Sequence, residues 1–353
     1  MLIGLAVLIV LALVVGIGGY FYMDNKLQAI PRERVSALTA QQAGQPIDIL
    51  LVGSDSRAFV ATPGQAQSFG SAATQTGQRA DTIVVVRLLP GGKITMLSIP
   101  RDTWVPIAGT GGSSRINSAF NAGPNDLVKS IQDDFHIPIN HVFLTTFPGF
   151  SGMVDSLGGI YLNFRDPVRD AYTGLDVTHT GCQLVNGTVA LSLVRSRHLY
   201  YYSHHEWQYD GLSDFSRIKR QQAFFHALIK RVHSAFPDIF RLNSFVSATV
   251  KNLHTDMTFS SGELIRLGCD YHSLSPKNLS TVVLPTTPTV IAGQDVLLPA
   301  QPDDRQAIAS FLASGSSGGK SSAAPAVPQS RPTLMQSGVV TGNFNEPWNP
   351  VPC

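Results

Sequence analysis

The amino-acid sequence predicts an α/β fold, with a central mixed β-sheet flanked by helices and preceded by one transmembrane helix. Three observations carry this prediction. Short apolar, β-branched runs alternate with helical patterns throughout residues 46–311. "DTIVVVRLL", "PGG" and "KITMLSI" form a strand–turn–strand unit. The stretch from Leu2 to Tyr22 holds no charged residue and is long enough to cross a hydrocarbon core as a helix.

Residues 1–22 are assigned to an uncleaved anchor, because the run lacks a short apolar region followed by a clean A-x-A cleavage site. Lys26, Arg32 and Arg34 follow it and no basic residue precedes it, so the positive-inside rule alone does not send the body outward. A large domain is nonetheless translocated largely regardless of charge. Residues 23–45 read as a polar stalk, and the body spans 46–313. It opens with "PIDILLVGSDSR", a buried strand ending in turn chemistry, followed by the polar loop "FVATPGQAQSFGSAATQTGQ". After the strand–turn–strand unit, "GPNDLVKSIQDDF" has helical periodicity and "PINHVFLTTF" reads as a strand. "FPGFSGMVDSLGG" is a helix closed by glycines, "IYLNF" a strand, and "NGTVALSLVRSRH" a helix capped near Asn186. That cap accounts for "NGT" without invoking glycosylation. "DFSRIKRQQAFFHALIKRVHSAF" is a long amphipathic helix, and "SGELIRLGCDYH" and "LSTVVLP" add a helix and a strand. Residues 314–353 turn to Gly, Ser, Ala and Pro and read as a flexible tail.

The chain has 353 residues, enough for a substantial core. Its net charge of +2 gives no basis for bulk nucleic-acid binding, so any phosphate chemistry must come from local arginines. Cys182, Cys269 and Cys353 lack metal-site spacing. Outside a reducing compartment, Cys182–Cys269 is the expected disulfide, with Cys353 left in the tail.

The candidate site comes from charged residues at corresponding places. Asp55 and Arg57 follow the first body strand, Arg79 and Asp81 precede the second, and Arg101 and Asp102 follow the third in "LSIPRDTWV". If the first and third strands are parallel with the second antiparallel between them, Asp55, Asp81 and Arg101 converge at one sheet edge. Arg195 and Arg197 end one helix, and Arg217 and Arg220 open the next, beside Asp214 and Gln221. Carboxylates at strand ends suit Mg²⁺ (or Mn²⁺), and several guanidiniums suit a diphosphate, whose oxygens match their planar fork. The competing reading is a surface network of Asp–Arg pairs. "HLYYYSHHEWQYDG" reads as a mobile loop over a sugar or lipid site, since adjacent His204 and His205 cannot easily share one ion.

"ILLVGSDSR", "RADTIVVVRL", "LSIPRDTWV", "RINSAF", "GFSGMVDSLGGI", "LVNGTVALSLVRSRH" and "DFSRIKRQQ" occur in an order that resembles the LytR-CpsA-Psr family. The resemblance covers residues 46–235 closely. It implies a membrane-anchored, extracytoplasmic phosphotransferase that moves a glycopolymer from a polyprenyl-diphosphate carrier to a peptidoglycan acceptor at the cell membrane. The insert after "VRSRH" looks most like actinobacterial members, for which arabinogalactan is the implied glycan. Carried over, Asp55 and Asp81 match the family's metal-associated aspartates, and Arg101, Arg195, Arg197 and Arg217 its diphosphate-binding arginines. Arg57, Arg79, Asp102, Asp214, Arg220 and Gln221 match motif positions and are assigned to substrate binding. Thr188 and Val189 depart from the pattern, where an acidic or amide residue is common, and no separate C-terminal accessory domain is evident. The implied reaction is attack by a peptidoglycan hydroxyl on the glycan-proximal phosphorus. A polyprenyl-diphosphate hydrolase using water, or a non-catalytic carrier-binding scaffold, are the rivals.

Overall fold

A computed structural model describes residues 21–54, 79–235, 238–314 and 348–353. The strands, in chain order, are β1 (Arg32–Glu33), β2 (Ile47–Ser54), β3 (Ala80–Leu89), β4 (Lys93–Ser98), β5 (Trp104–Pro106), β6 (Ser113–Arg115), β7 (His141–Thr146), β8 (Ile160–Phe164) and β9 (Val168–Asp170). They continue as β10 (Leu175–Val177), β11 (Gly181–Val185), β12 (Tyr200–Ser203), β13 (Glu206–Tyr209), β14 (Leu253–Asp256), β15 (Leu279–Val283), β16 (Thr286–Ile291), β17 (Gln294–Pro299) and β18 (Val351–Pro352). The helices are α1 (Pro124–Phe135), α2 (Phe147–Ser156), α3 (Gly187–Arg195), α4 (Asp214–Ala235), α5 (Ile239–Asn252), α6 (Ser261–Asp270) and α7 (Asp303–Ala313).

Among the described residues, the central sheet runs β1-β14-β7-β2-β3-β4-β15. β3 pairs antiparallel with both β2 and β4, so the first and third body strands are parallel, as the site argument requires. The sheet is buried on both faces, which explains its nearly continuous apolar runs. Leu50, Val52, Ile83, Val85 and Leu97 point to one face, where α1 and α7 supply Leu127, Ile131 and Phe311. Ile49, Val84, Val86, Ile94 and Met96 point to the other, covered by Phe225 and Ile229 of α4 and Leu267 of α6. A second core lies under β8, β9 and β11 and includes Leu162, Phe164, Val168, Leu193 and Phe224.

The helix after β7 begins as expected, with the Thr146 hydroxyl accepting from the Gly149 amide, and it ends at Gly158 and Gly159, both at positive φ. Asn186 caps α3 by accepting from the Val189 amide at 2.9 Å. Gly187 lets α3 approach α2 closely, since a Cβ there would stand 2.2 Å from the Ser151 carbonyl oxygen.

Five expectations need correction or limitation. The segment read as a stalk is built into the body: Leu27 and Ile30 pack with Val250, Val35 joins the main core, and β1 pairs with β14. The end of the tail is docked too, because β18 pairs with β8 and Trp348 stacks on Tyr201 at 4.8 Å. The disulfide joins Cys182 to Cys353, and Cys269 is free and exposed. Cys269 rides on α6 over the central sheet, whereas Cys182 lies on β11 of a separate sheet that β18 joins. The transmembrane segment falls outside the described residues apart from its last two; no helix among the described residues is long and apolar enough to cross a membrane. Finally, "HLYYYSHHEWQYDG" forms the β12–β13 hairpin, with His204 and His205 at positive φ in its two-residue turn.

Candidate functional site

The edge of the sheet where β2 ends, β3 begins and β4 ends is the mouth of a cavity of about 520 Å³. Asp81, one residue into β3, accepts a hydrogen bond from the Arg101 guanidinium, which leaves β4 after the Pro100 break. Arg101 Nε also lies 3.6 Å from Asp102. From the opposite wall, Arg197 approaches Asp102 at 3.8 Å and Asp214 at 3.3 Å. Arg217, one turn into α4, holds Asp214 at 2.8 Å and is almost wholly buried. Arg195 at the end of α3 lays its guanidinium 4.2 Å from the centre of the Phe147 ring. Gln221 donates to the Thr82 hydroxyl and the Val194 carbonyl, each at 3.1 Å, and so ties α4 to both β3 and α3.

Arg101, Arg195, Arg197 and Arg217 all line the cavity, against Asp81 and Asp170 as its carboxylates. Positive charge therefore dominates the wall. Burial alone would depress the Arg101 pKa, but Asp81, Asp102 and Asp214 outweigh it and raise the value above that of an ordinary arginine. Arg217 goes the other way: burial, with Arg101 and Arg197 nearby, lowers its pKa despite Asp214. Nε of Arg101, Arg197 and Arg217 has no hydrogen-bond partner among the described residues. Two of these atoms face carboxylates without a well-formed hydrogen bond, Arg101 Nε at 3.6 Å from Asp102 and Arg197 Nε at 3.3 Å from Asp214.

Behind the charged mouth the cavity is apolar. Phe143 of β7, Phe147, Phe150 and Met153 of α2, Leu191 of α3, and Phe224 and Leu228 of α4 line it. These side chains come from separate stretches of sequence, and no local signal picks them out as one lining.

The remaining site residues fall into three groups. Asp55 and Arg57 lie outside the described residues. Asp102 and Asp214 stand behind the mouth as partners of its arginines, and Arg79 is exposed and does not line the cavity. Arg220 requires correction as a substrate-binding residue. It is completely buried, donates to Asp210 at 2.9 Å, to Asn349 at 3.1 Å and to the Ser196 carbonyl at 2.6 Å, and so supports the loop between Arg195 and Arg197 from below. Two positions one turn apart on a helix differ in direction by about 60°, which sends Arg217 to the mouth and Arg220 into the core.

Sequence reasoning missed Asp170. Its carboxylate accepts from the Ser196 hydroxyl at 2.6 Å and from the amides of His198 and Tyr172 at 3.0 and 2.9 Å. Burial opposes the charge, but these donors prevail and hold its pKa below the ordinary carboxylate value. Arg115, which lies 3.7 Å from Asp102, was also missed as a charge at this edge.

The site is thus an arginine-ringed mouth over an apolar bore. The chain belongs to the LytR_cpsA_psr family, whose match covers residues 18–309. It is 33% identical over 233 residues to "Probable cell wall biosynthesis protein LcpB" of Corynebacterium glutamicum, a match covering 65% of this chain and 51% of that protein. The chain thus spans about half the length of that relative. It is 30% identical to "Polyisoprenyl-teichoic acid--peptidoglycan teichoic acid transferase TagV" of Bacillus subtilis, covering 77% of this chain and 67% of that one. The fold matches the solved "LytR-Csp2A-Psr enzyme from Actinomyces oris" with a TM-score of 0.64 at 24% identity, over 80% of this chain and 95% of that one.

Proposed function

We propose that the protein is a cell-wall transferase that moves a glycopolymer phosphate from a polyprenyl-diphosphate carrier to peptidoglycan. The observation that carries this reading is the single cavity joining four arginines to an apolar bore. A lipid diphosphate has the same two-part chemistry, with a prenyl chain for the bore and phosphate oxygens for the guanidiniums. The names of relatives, which include transfer of teichoic acid to peptidoglycan, support the reaction class.

Arg101, Arg195, Arg197 and Arg217 would neutralise the diphosphate and hold it in line for attack, since phosphoryl transfer depends mainly on positioning and charge stabilisation. An acceptor hydroxyl oxygen bonds to the glycan-side phosphorus while the phosphoanhydride bond breaks. Prenyl phosphate leaves, the hydroxyl proton is released, and a phosphodiester remains. Among the described residues no group of three or more His, Cys, Asp or Glu side chains could hold a metal ion, and Asp81 is paired with Arg101; its carboxylate is nonetheless the type of hard oxygen donor that Mg²⁺ (or Mn²⁺) would take. Asp81, with Asp55, is our candidate for holding that ion, which would supply further charge neutralisation. Arabinogalactan as the glycan, an anchored N-terminus and an extracytoplasmic body complete the proposal.

The test incubates the full chain with a labelled lipid-diphosphate glycan, with and without peptidoglycan. Phosphodiester-linked product appearing only with the acceptor supports transfer. Free glycan phosphate formed equally in both would make the protein a hydrolase, and no product in either would make it a carrier-binding protein.

A further inference from the structure

Beside the mouth, the molecule exposes a row of rings that the transfer chemistry does not use. The register of β9, β12 and β13 creates it. Tyr200 stands opposite Tyr209 and Arg169, and Tyr202 opposite Trp207, so these side chains share one face. Tyr201, between them, turns inward to Trp348 and donates to Gln208. On the outer face, ring centroids follow one another from Tyr172 to His198 at 4.6 Å, to Tyr209 at 6.4 Å and to Tyr200 at 5.3 Å. Trp207 lies 5.4 Å from Tyr202 and carries the Arg169 guanidinium 4.0 Å from its ring centre. Tyr172 is 82% exposed, Tyr209 45% and Tyr200 40%, so the rings are not there to fill a core. Clustered exposed aromatics mark a binding surface.

We propose that this row is a subsite for the glycan of the donor, stacking its sugar rings as they leave the diphosphate. The inference rests on the transfer reading above. Continuity is the main argument. Tyr172 and His198 line the cavity, so the row starts where the sugar bonded to the diphosphate must emerge. Both are also fixed there, because Asp170 accepts their backbone amides. The chemistry fits as well. The C–H faces of a sugar ring are apolar and pack on aromatic faces, while tyrosine hydroxyls and the Arg169 guanidinium meet its hydroxyls. A membrane interior is a poorer occupant, since Arg169 and its register partner Asp176 put charge on the same face. An acceptor strand needs only to reach the phosphorus, and nothing ties it to a row that begins at the mouth.

Stacking of this kind tolerates the identity of the sugar, so a simple oligosaccharide serves as probe. The full chain in detergent is titrated with geranylgeranyl diphosphate and with the same lipid diphosphate carrying chitotriose. The variant is the double substitution Tyr200→Thr/Tyr209→Thr, which removes two rings and keeps strand-favouring residues. The wild type should bind the sugar-bearing probe more tightly, and the variant should lose about tenfold on that probe alone, the scale expected for two lost ring contacts. Equal wild-type affinities for the two probes would overturn the row while leaving the diphosphate reading in place. Equal losses on both probes would make it a lipid-facing or structural surface. A loss confined to the acceptor KM during transfer would assign it to peptidoglycan. Failure of the wild type to bind bare geranylgeranyl diphosphate would overturn the transfer reading, and the row with it.

Discussion

Replacing Arg101 by lysine keeps a positive charge at the end of β4 and removes the planar fork. In the structure Arg101 bonds to Asp81, flanks Asp102 at 3.6 Å, and lines the cavity with an Nε that has no hydrogen-bond partner among the described residues. Two effects can be separated by size. The ion pair is partly exposed, at 20% for Arg101 and 18% for Asp81, and lysine can retain part of it. Such pairs are worth about 1 kcal/mol or less, so the melting temperature should move by less than about 4 °C. A hydrogen bond to a charged oxygen is worth about 1.5–3 kcal/mol, and an ammonium cannot reproduce a bidentate grip. Losing one such bond to diphosphate weakens binding about 10- to 150-fold. Calorimetric titration with geranylgeranyl diphosphate, beside a melting curve, reads both quantities. An unchanged Kd with a lowered melting temperature would refute the reasoning and leave Arg101 as a structural partner of Asp81.

Five further substitutions test other parts of the account. Leu228→Trp on α4 should fill the bore, cutting geranylgeranyl diphosphate affinity at least about tenfold while leaving inorganic diphosphate binding unchanged; equal affinities for the long lipid would remove the bore from the site. Cys182→Ser or Cys353→Ser should each cost about 2–5 kcal/mol in denaturant unfolding, and Cys269→Ser close to nothing, which checks the pairing directly. Asp170 is held ionised by its donors, so its contribution to stability is complete above its unfolded pKa of 3.8 and is lost as the pH falls through its lower folded value. The stability gap between wild type and Asp170→Asn should therefore be constant above about pH 5 and close at lower pH; a gap that widens on acidification would reverse the sign.

Much of the scaffold was legible because its signals are local. The nearly continuous apolar, β-branched runs of β2, β3 and β4 mark three neighbouring strands, and their pairing brings Asp81 to Arg101. The caps at Thr146 and Asn186 are written in adjacent residues. What escaped depends on contacts between distant segments. Asp170 reaches Ser196 across 26 positions, and nothing in "VRD" announces it. Arg220 resembles Arg217 in sequence and differs only in which side of α4 it occupies, a distinction that the packing of Asp210 and Asn349 decides. Cys353 lies beyond a Gly/Ser/Pro-rich stretch that gives no hint of a docked end. The bore is assembled from aromatic residues that look like ordinary core in each helix taken alone.

The central claim is that one cavity holds both halves of a lipid diphosphate, and a crystal structure of the protein soaked with geranylgeranyl diphosphate tests it most directly. The account predicts electron density for two phosphates within hydrogen-bond reach of Arg101, Arg197 and Arg217, with the prenyl chain running between Phe150, Phe224 and Leu228. Phosphate density elsewhere on the surface, or a chain lying outside the bore while the arginines keep only their aspartate partners, would contradict it.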